Sequence, residues 1–370
     1  GTCDKRYTHV LPHGHGSCYP VYPMNDNESL ASLGWRSHFQ AQVDAEEAGL
    51  PARVMSVHRS RVELAGQNGP LAAELHGREA EAGLAVGDWV LVEPDAHRIL
   101  RRLQPFSVFQ RRGAGTSGEI QTIAANVDSL FVVTSANRDF NVARLERYLA
   151  LAQDAGAYPV IVISKADTTD AIDEFLSAAR ALAPGILVEA MDTRDDDQVA
   201  ALKTWCASGQ TVAVVGSSGV GKSTLINTLT GSVQTTNAAR LDDQRGRHTT
   251  TGRSMHPLPD GGWLIDTPGM RELQLVDVGD ALDDVFADIA SRAKQCRFKD
   301  CAHETEPGCR VQQAIADGEL DAERLRRFRK LQREDRRNSE SLLERRARDK
   351  YFAKLYKSVQ SGSRQRKEGK

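Results

Sequence analysis

No stretch of this 370-residue chain stays apolar long enough to cross a bilayer, and no secretory signal pattern is present. A membrane-embedded role is therefore not expected, and an intracellular, cytoplasmic location is. Cysteine is sparse, six residues in all, and in a reducing compartment such thiols do not build a disulfide framework. No large excess of either charge exists, since the formal net charge is −2. That balance conceals an uneven distribution. From residue 291 onward 23 Lys and Arg stand against 13 Asp and Glu, so this part carries +10 and the rest −12. The basic residues cluster as Arg324, Arg326, Arg327, Arg329, Lys330, Arg333, Arg336 and Arg337, then Arg345, Arg346, Arg348 and Lys350. Leu325, Phe328, Leu331, Leu342, Leu343, Phe352 and Leu355 suggest two helices with an apolar stripe. A polyanionic partner follows from that face.

What is present is a set of four strings: SKAD at 164–167, GSSGVGKS at 216–223, TT at 249–250 and DTPG at 266–269. They are the parts of a guanine-nucleotide site, but the base reader precedes the phosphate loop, so the order is that of a circularly permuted GTPase. Gly216, Gly219 and Gly221 let the backbone of Gly216, Ser217, Ser218, Gly219, Val220 and Gly221 turn its N–H groups toward phosphate oxygens. Lys222 reaches the β- and γ-phosphates as part of the catalytic apparatus, and Ser223 offers its hydroxyl to Mg2+. The strand pattern Thr211–Val215 precedes the loop, and Ser223, followed by Thr224, opens a helix whose N-terminus adds to the anion site. Asp266, closing the apolar stretch Trp263–Ile265, is placed to hold Mg2+, and Gly269 to present its N–H to the γ-phosphate.

Base choice rests on Lys165 and Asp167 after the strand Pro159–Ile163. A carboxylate accepts from the guanine ring N–H and exocyclic amine together, a pair adenine does not offer, while the Lys stem lies along the base. GTP is expected over ATP, which sets aside an ATP-dependent nucleic-acid enzyme. The first residue of this motif is Ser164 rather than the usual Asn, and one hydroxyl makes fewer bonds than an amide, so modest affinity is expected. Many GTPases place a water-orienting Gln after the last Gly of the DTPG-like motif; here stands Met270, and a thioether cannot orient water. The nearest candidate is His248, in the polar segment 242–253 with the composition of a mobile switch, where a neutral imidazole accepts from water. Thr250, or Thr249 in a shifted register, is the candidate hydroxyl for Mg2+ and the γ-phosphate.

Cys296, Cys301, His303 and Cys309 give C-x4-C-x-H-x5-C, four ligands that close a tetrahedron around one structural Zn2+. Cys206 reads as a core residue. Ahead of the GTPase, the stretch 53–64 alternates as a half-buried strand does (Val54, Val57, Val62, Leu64), and another strand covers 86–92 after a Gly-Asp turn. Short strands with Gly turns suit a small closed barrel such as an OB-fold, although no aromatic ladder for base stacking accompanies it.

Together these residues resemble the RsgA (YjeQ) family, bacterial GTPases dependent on the small ribosomal subunit. The resemblance covers about residues 35–355 and includes GDWV at 87–90, QTIAANVD at 121–128, FNVARLERYL at 140–149, GRHTTT at 246–251 and the metal-ligand spacing. It implies an α/β circularly permuted Ras-like P-loop domain, an N-terminal OB-fold and a C-terminal α-helical zinc domain. The expected divisions are a disordered extension at 1–34, the OB-fold at 35–113, the GTPase at 114–288, the zinc domain at 289–356 and a basic disordered tail at 357–370. It further implies GTP hydrolysis with Mg2+, stimulated by the small subunit and used in its late maturation, with rRNA as a binding partner and His248 as the catalytic group. A monomer is expected. The competing reading is an RNA-binding nucleotide switch with negligible turnover.

Overall fold

The structure, a computed structural model, describes residues 29–339 apart from 45, 59, 76–82, 95–97, 113–119, 232–252, 267–269 and 271–272. Two units divide the chain: Gly1–Phe109 with Thr122–Glu272, and Gln110–Gln121 with Leu273–Lys370.

In the larger unit, β1 (Leu50–Val57), β2 (Arg61–Gly66), β3 (Gly69–Glu74), β4 (Trp89–Val92) and β5 (Ile99–Arg102) form an antiparallel barrel. β1 pairs with both β2 and β4, β3 continues from β2, and β5 from β4, the five-stranded OB arrangement. Val54, Val62, Leu64, Val90 and Ile99 fill its core. The alternation across 53–64 predicts one half-buried strand. The chain instead reverses after β1 into β2, and β1 is buried on both faces from Ala52 to Ser56. The cause is Arg53, whose outward side chain is covered and donates to the carbonyls of Leu33 and Asn126 (3.2 Å) and to Thr211 Oγ1 (2.7 Å). Burial pulls its guanidinium well below its ordinary value, against the attraction of Asp128. Leu33 is fully buried, and Trp35 meets Trp89 edge-on at 4.9 Å. The extension expected to be disordered over 1–34 therefore ends sooner, because 29–34 carries the cap of a buried cation; residues 1–28 lie outside the described residues. A four-residue helix, α1 (Ser37–Gln40), follows.

β6 (Val108–Arg112) and β7 (Ile120–Ala125) make a separate two-stranded sheet. The stretch after β7 ties parts together: Asn126 Nδ2 donates to the Gly87 carbonyl (2.9 Å), and Asp128 accepts from Arg36 (2.8 Å) and from Thr211 N–H (2.8 Å).

β8 (Ser129–Ser135), β9 (Tyr158–Ser164), β10 (Leu187–Ala190), β11 (Thr211–Gly216) and β13 (Trp263–Ile265) run parallel in the order β10-β9-β8-β11-β13, with β12 (Arg253–Pro257) antiparallel beside β13. Their near-continuous Val, Ile and Leu suit a sheet covered on both faces. The covering helices are α2 (Val142–Ala155), α3 (Ile172–Arg180), the short α4 (Asp196–Val199) and α5 (Lys222–Thr230). Asn141 caps α2 by accepting from Arg144 N–H (3.0 Å). β8, β9 and β10 step one way across the sheet, and β11 lies on the opposite side of β8. That reversal opens a crevice at the C-terminal ends of the strands. On its far side β12 pairs with β1, Ser254 against Ser56 and Arg253 against Val57, so the barrel joins the same eleven-stranded sheet.

The smaller unit contains α6 (Gly279–Val285), α7 (Ala287–Ala293), α8 (Arg310–Ala316) and α9 (Ala322–Ser339). Leu325, Phe328 and Leu331 form the buried stripe of α9, and Phe328 meets Phe286 at 5.0 Å. Arg324 grips Asp288 with two bonds (2.7 and 3.0 Å) and lies over the Phe286 ring at 4.7 Å. Leu342, Leu343, Phe352 and Leu355 fall outside the described residues. Among the described residues no helix is long and apolar enough to cross a membrane.

Candidate functional site

β11 is buried along its whole length and delivers the chain to the crevice at Gly216. Gly216, Gly219 and Gly221 all take positive φ. A Cβ on Gly216 would lie 2.2 Å from the carbonyl oxygen of Val133, backbone of the central strand that cannot yield. Gly216→Ala is therefore expected to lower stability by about 3 kcal/mol or more, read as a fall in the denaturation midpoint; a soluble variant with an unchanged midpoint would contradict this. α5 begins at Lys222, whose ammonium donates to the Ser217 carbonyl inside the loop, while Ser218 and Ser223 stay exposed. The N-terminal end of α5 thus opens beside a buried cation, an anion-seeking arrangement.

β9 ends at Ser164, which is fully buried. Its hydroxyl lies 2.9 Å from the Thr134 carbonyl and 2.6 Å from that of Val220. The side chain expected to serve the base instead faces protein carbonyls and fastens the base-reading turn to the phosphate loop. Gly221 makes room for it: a Cβ there would stand 3.3 Å from Ser164 Oγ. Lys165, at φ 58°, donates from Nζ to the Gly219 carbonyl (2.8 Å). The structure therefore brings Ser164 and Lys165 against the phosphate loop, although about fifty residues of sequence separate them.

Sequence reasoning missed the loop after β10. Arg194 donates to Asp167 Oδ2 (2.7 Å) and is itself held by Asp192 (2.8 and 2.9 Å). The Arg194 hydrogen bond holds the Asp192 carboxyl below its ordinary value. Thr228 Oγ1, on α5, donates to the Thr193 carbonyl (2.7 Å). The available signal was the strand itself, because a parallel β10 beside β9 must end next to 164–167. Arg144 was also missed; from the first turn of α2 its guanidinium donates to Ser217 Oγ.

Asp266 follows β13 at the same end of the sheet. On the neighbouring β12, burial holds the His256 imidazole below its ordinary value, with Asp266 opposing. Met270 is buried. His248, Thr249, Thr250 and Gly269 lie outside the described residues. Cys206 packs in the core under the phosphate loop, and burial pushes its thiol up to about 12.

In the smaller unit the ligand atoms of Cys296, Cys301, His303 and Cys309 all lie within 4.8 Å of one another, a group able to hold a metal ion. Cys296 Sγ is 3.9 Å from Cys309 Sγ, far beyond the roughly 2.05 Å of a disulfide. His303 Nδ1 is 3.6 Å from Cys296 Sγ and 3.4 Å from Cys309 Sγ. Cys309 also caps α8, accepting from Gln312 N–H at 3.4 Å.

A family model described as RsgA GTPase matches residues 104–276. Among curated relatives, the small ribosomal subunit biogenesis GTPase RsgA of Mesorhizobium japonicum is 51% identical over 316 residues, 84% of this chain and 91% of the relative. RsgA 2 of Vibrio parahaemolyticus, a protein of the same description, is 46% identical over 348 residues, 93% of this chain and 96% of the relative. Among solved structures, YjeQ from Thermotoga maritima aligns with TM-score 0.59 at 24% identity, covering 76% of this chain and 96% of its own. YloQ, described as a circularly permuted GTPase, aligns with TM-score 0.55 at 21% identity, covering 81% and 100%.

Proposed function

The chain belongs to the RsgA GTPase family, and on that premise we propose that it hydrolyses GTP in the service of small-ribosomal-subunit biogenesis. The observation that carries the reading is the direct fastening of the base-reading turn to the phosphate loop, through Ser164 to Val220 and Lys165 to Gly219. A nucleotide spanning that junction would set guanine on Asp167 and Lys165 and its phosphates in the loop 216–223. Lys222 neutralises charge on the β- and γ-phosphates, which is most of what phosphoryl transfer asks of a protein. Ser223, Asp266 and Thr250, or Thr249, would hold the Mg2+ that accompanies GTP. His248 accepts from the attacking water, since Met270 is apolar and buried.

The cluster in the smaller unit is assigned to one structural zinc. Tetrahedral zinc places its sulfur ligands about 3.8 Å apart and sulfur about 3.5 Å from nitrogen. The 3.9, 3.6 and 3.4 Å separations match those edges. Four protein ligands leave no open position for chemistry. The barrel precedes the GTPase and the metal-binding module follows it in the sequence, and both are read as rRNA-docking parts of a cytoplasmic monomer.

The test is GTP and ATP hydrolysis by the purified protein alone, with small subunits and with large subunits. Strong stimulation confined to GTP and small subunits is expected; equal stimulation by large subunits would sink the assignment. His248→Ala is expected to lower stimulated turnover by about 10²–10⁴-fold while GTP binding stays within a few-fold. Undiminished turnover would remove His248 from the mechanism.

A further inference from the structure

Between two of the metal ligands, Cys296 and Cys301, the chain reads Arg297–Phe298–Lys299–Asp300. Phe298 is 42% exposed, and among the described residues of 273–339 it is the one large apolar side chain left open to solvent. A phenyl ring left open contributes none of the stabilisation that covering it would bring, so a partner that stacks on it gains that free energy. The ring is not on a loose segment. Arg297 N–H bonds the Gly308 carbonyl (3.3 Å), Cys301 N–H bonds that of Phe298 (3.4 Å), and thiols of the cluster bracket both ends.

The charges around the ring set its partner apart from an ordinary apolar one. The Arg297 guanidinium stands over the ring, 5.4 Å from its centroid, and the side chain remains open to solvent. Among the described residues neither Arg297 nor Lys299 forms an ion pair with a carboxylate, whereas Arg324, Arg326, Arg327 and Arg329 all do. The neighbouring acids are largely committed: Glu306 accepts from the N–H groups of Ala302, Glu304 and Thr305, and Glu304 faces Arg329. Asp300 is the remaining counter-charge. A half-exposed aromatic ring with a guanidinium over it and a lysine next to it in the chain, neither paired to a carboxylate among the described residues, is the combination that stacks a base and neutralises its phosphates.

We infer that Phe298, backed by Arg297 and with Lys299 beside it, is a stacking platform for an unpaired base of RNA. The inference rests on the reading above that the small subunit is the partner, and it deepens that reading by naming the contact. The barrel's sequence carries no aromatic ladder, and Trp35 and Phe39 pack on each other and on Trp89. The base-stacking element is thus the metal loop.

The test compares the full-length protein with Phe298→Ala and Phe298→Tyr for affinity to small ribosomal subunits, with metal content and unstimulated GTP hydrolysis measured alongside. Phe298→Ala should bind about 5- to 150-fold more weakly with unchanged metal and unstimulated turnover. Phe298→Tyr should stay within about twofold. p-Benzoylphenylalanine at position 298 should crosslink to rRNA. Equal binding by Phe298→Ala with its metal retained, or a crosslink confined to a ribosomal protein, overturns the platform while the parent reading stands. A wild-type protein indifferent to small subunits overturns both.

Discussion

Lys222→Ala is expected to lower GTP affinity at least a hundredfold and to leave no measurable hydrolysis. Lys222 is 7% exposed, and its ammonium already points inward at the Ser217 carbonyl. A cation so shielded from water acts on phosphate oxygens through a low local dielectric. Hydrogen bonds to charged groups are each worth about 1.5–3 kcal/mol, and bonds to both β- and γ-phosphates together correspond to a factor of about 10² to 10⁴. The fold should survive, since Lys222 opens α5 and alanine is a good helix former. Titration of a fluorescent GTP analogue, with circular dichroism as control, reads both expectations. Folded protein that binds within tenfold of wild type would show that the backbone cradle alone carries the affinity.

The second large effect is on the metal. Cys301→Ser should release it and collapse the segment from Cys296 through α8. The ligand loop buries little: between 296 and 309, Cys309 is the one buried residue, and α8 adds only Val311 and Ala314. A structural zinc in such a setting contributes on the order of 10 kcal/mol, and no apolar core of comparable size stands behind it. The loss should spread to α8, because Cys309 caps it and Gln312 donates from its side chain to the His303 carbonyl. α9 would lose the contacts of Arg329 with the Ala302 carbonyl and Glu304, but its packing on Phe286 and Asp288 uses residues outside the loop, so part of the unit's helicity should remain. Metal analysis and far-ultraviolet circular dichroism check this. Full metal stoichiometry in the variant would remove Cys301 from the ligand set. Unstimulated GTP hydrolysis is expected to persist, and stimulation by small subunits to disappear.

Local chemistry made much of this legible in advance. The strand Thr211–Gly216 leading into the glycine turn, the strand Trp263–Ile265 ending at Asp266, and the four metal ligands each announce themselves within a few residues. What sequence reading missed depends on partners far along the chain. Ser164 reads as a weak substitute for Asn until Val220 and Thr134 are placed around it. Arg194 sits in an acidic stretch with no motif, and only the parallel pairing of β10 with β9 brings it to Asp167. Arg53 occupies a position that alternation assigns to solvent, and its burial is explained only by Leu33, Asn126 and Thr211.

The pairing of β1 with β12 has a consequence for how the protein is made. β1 is synthesised early, and its ladder partner emerges roughly 200 residues later, a strongly non-local contact of the kind that slows folding. Until β12 arrives, Ser56 and Val57 present an open edge, and the Arg53 side chain waits for Thr211. The barrel is therefore a poor candidate for excision: cut free, it would expose one raw strand edge, and the GTPase left behind would expose another, each a template for aggregation. A nascent chain meets the same hazard, so the barrel's β1 edge stays open until β12 of the nucleotide domain has followed it out of the ribosome.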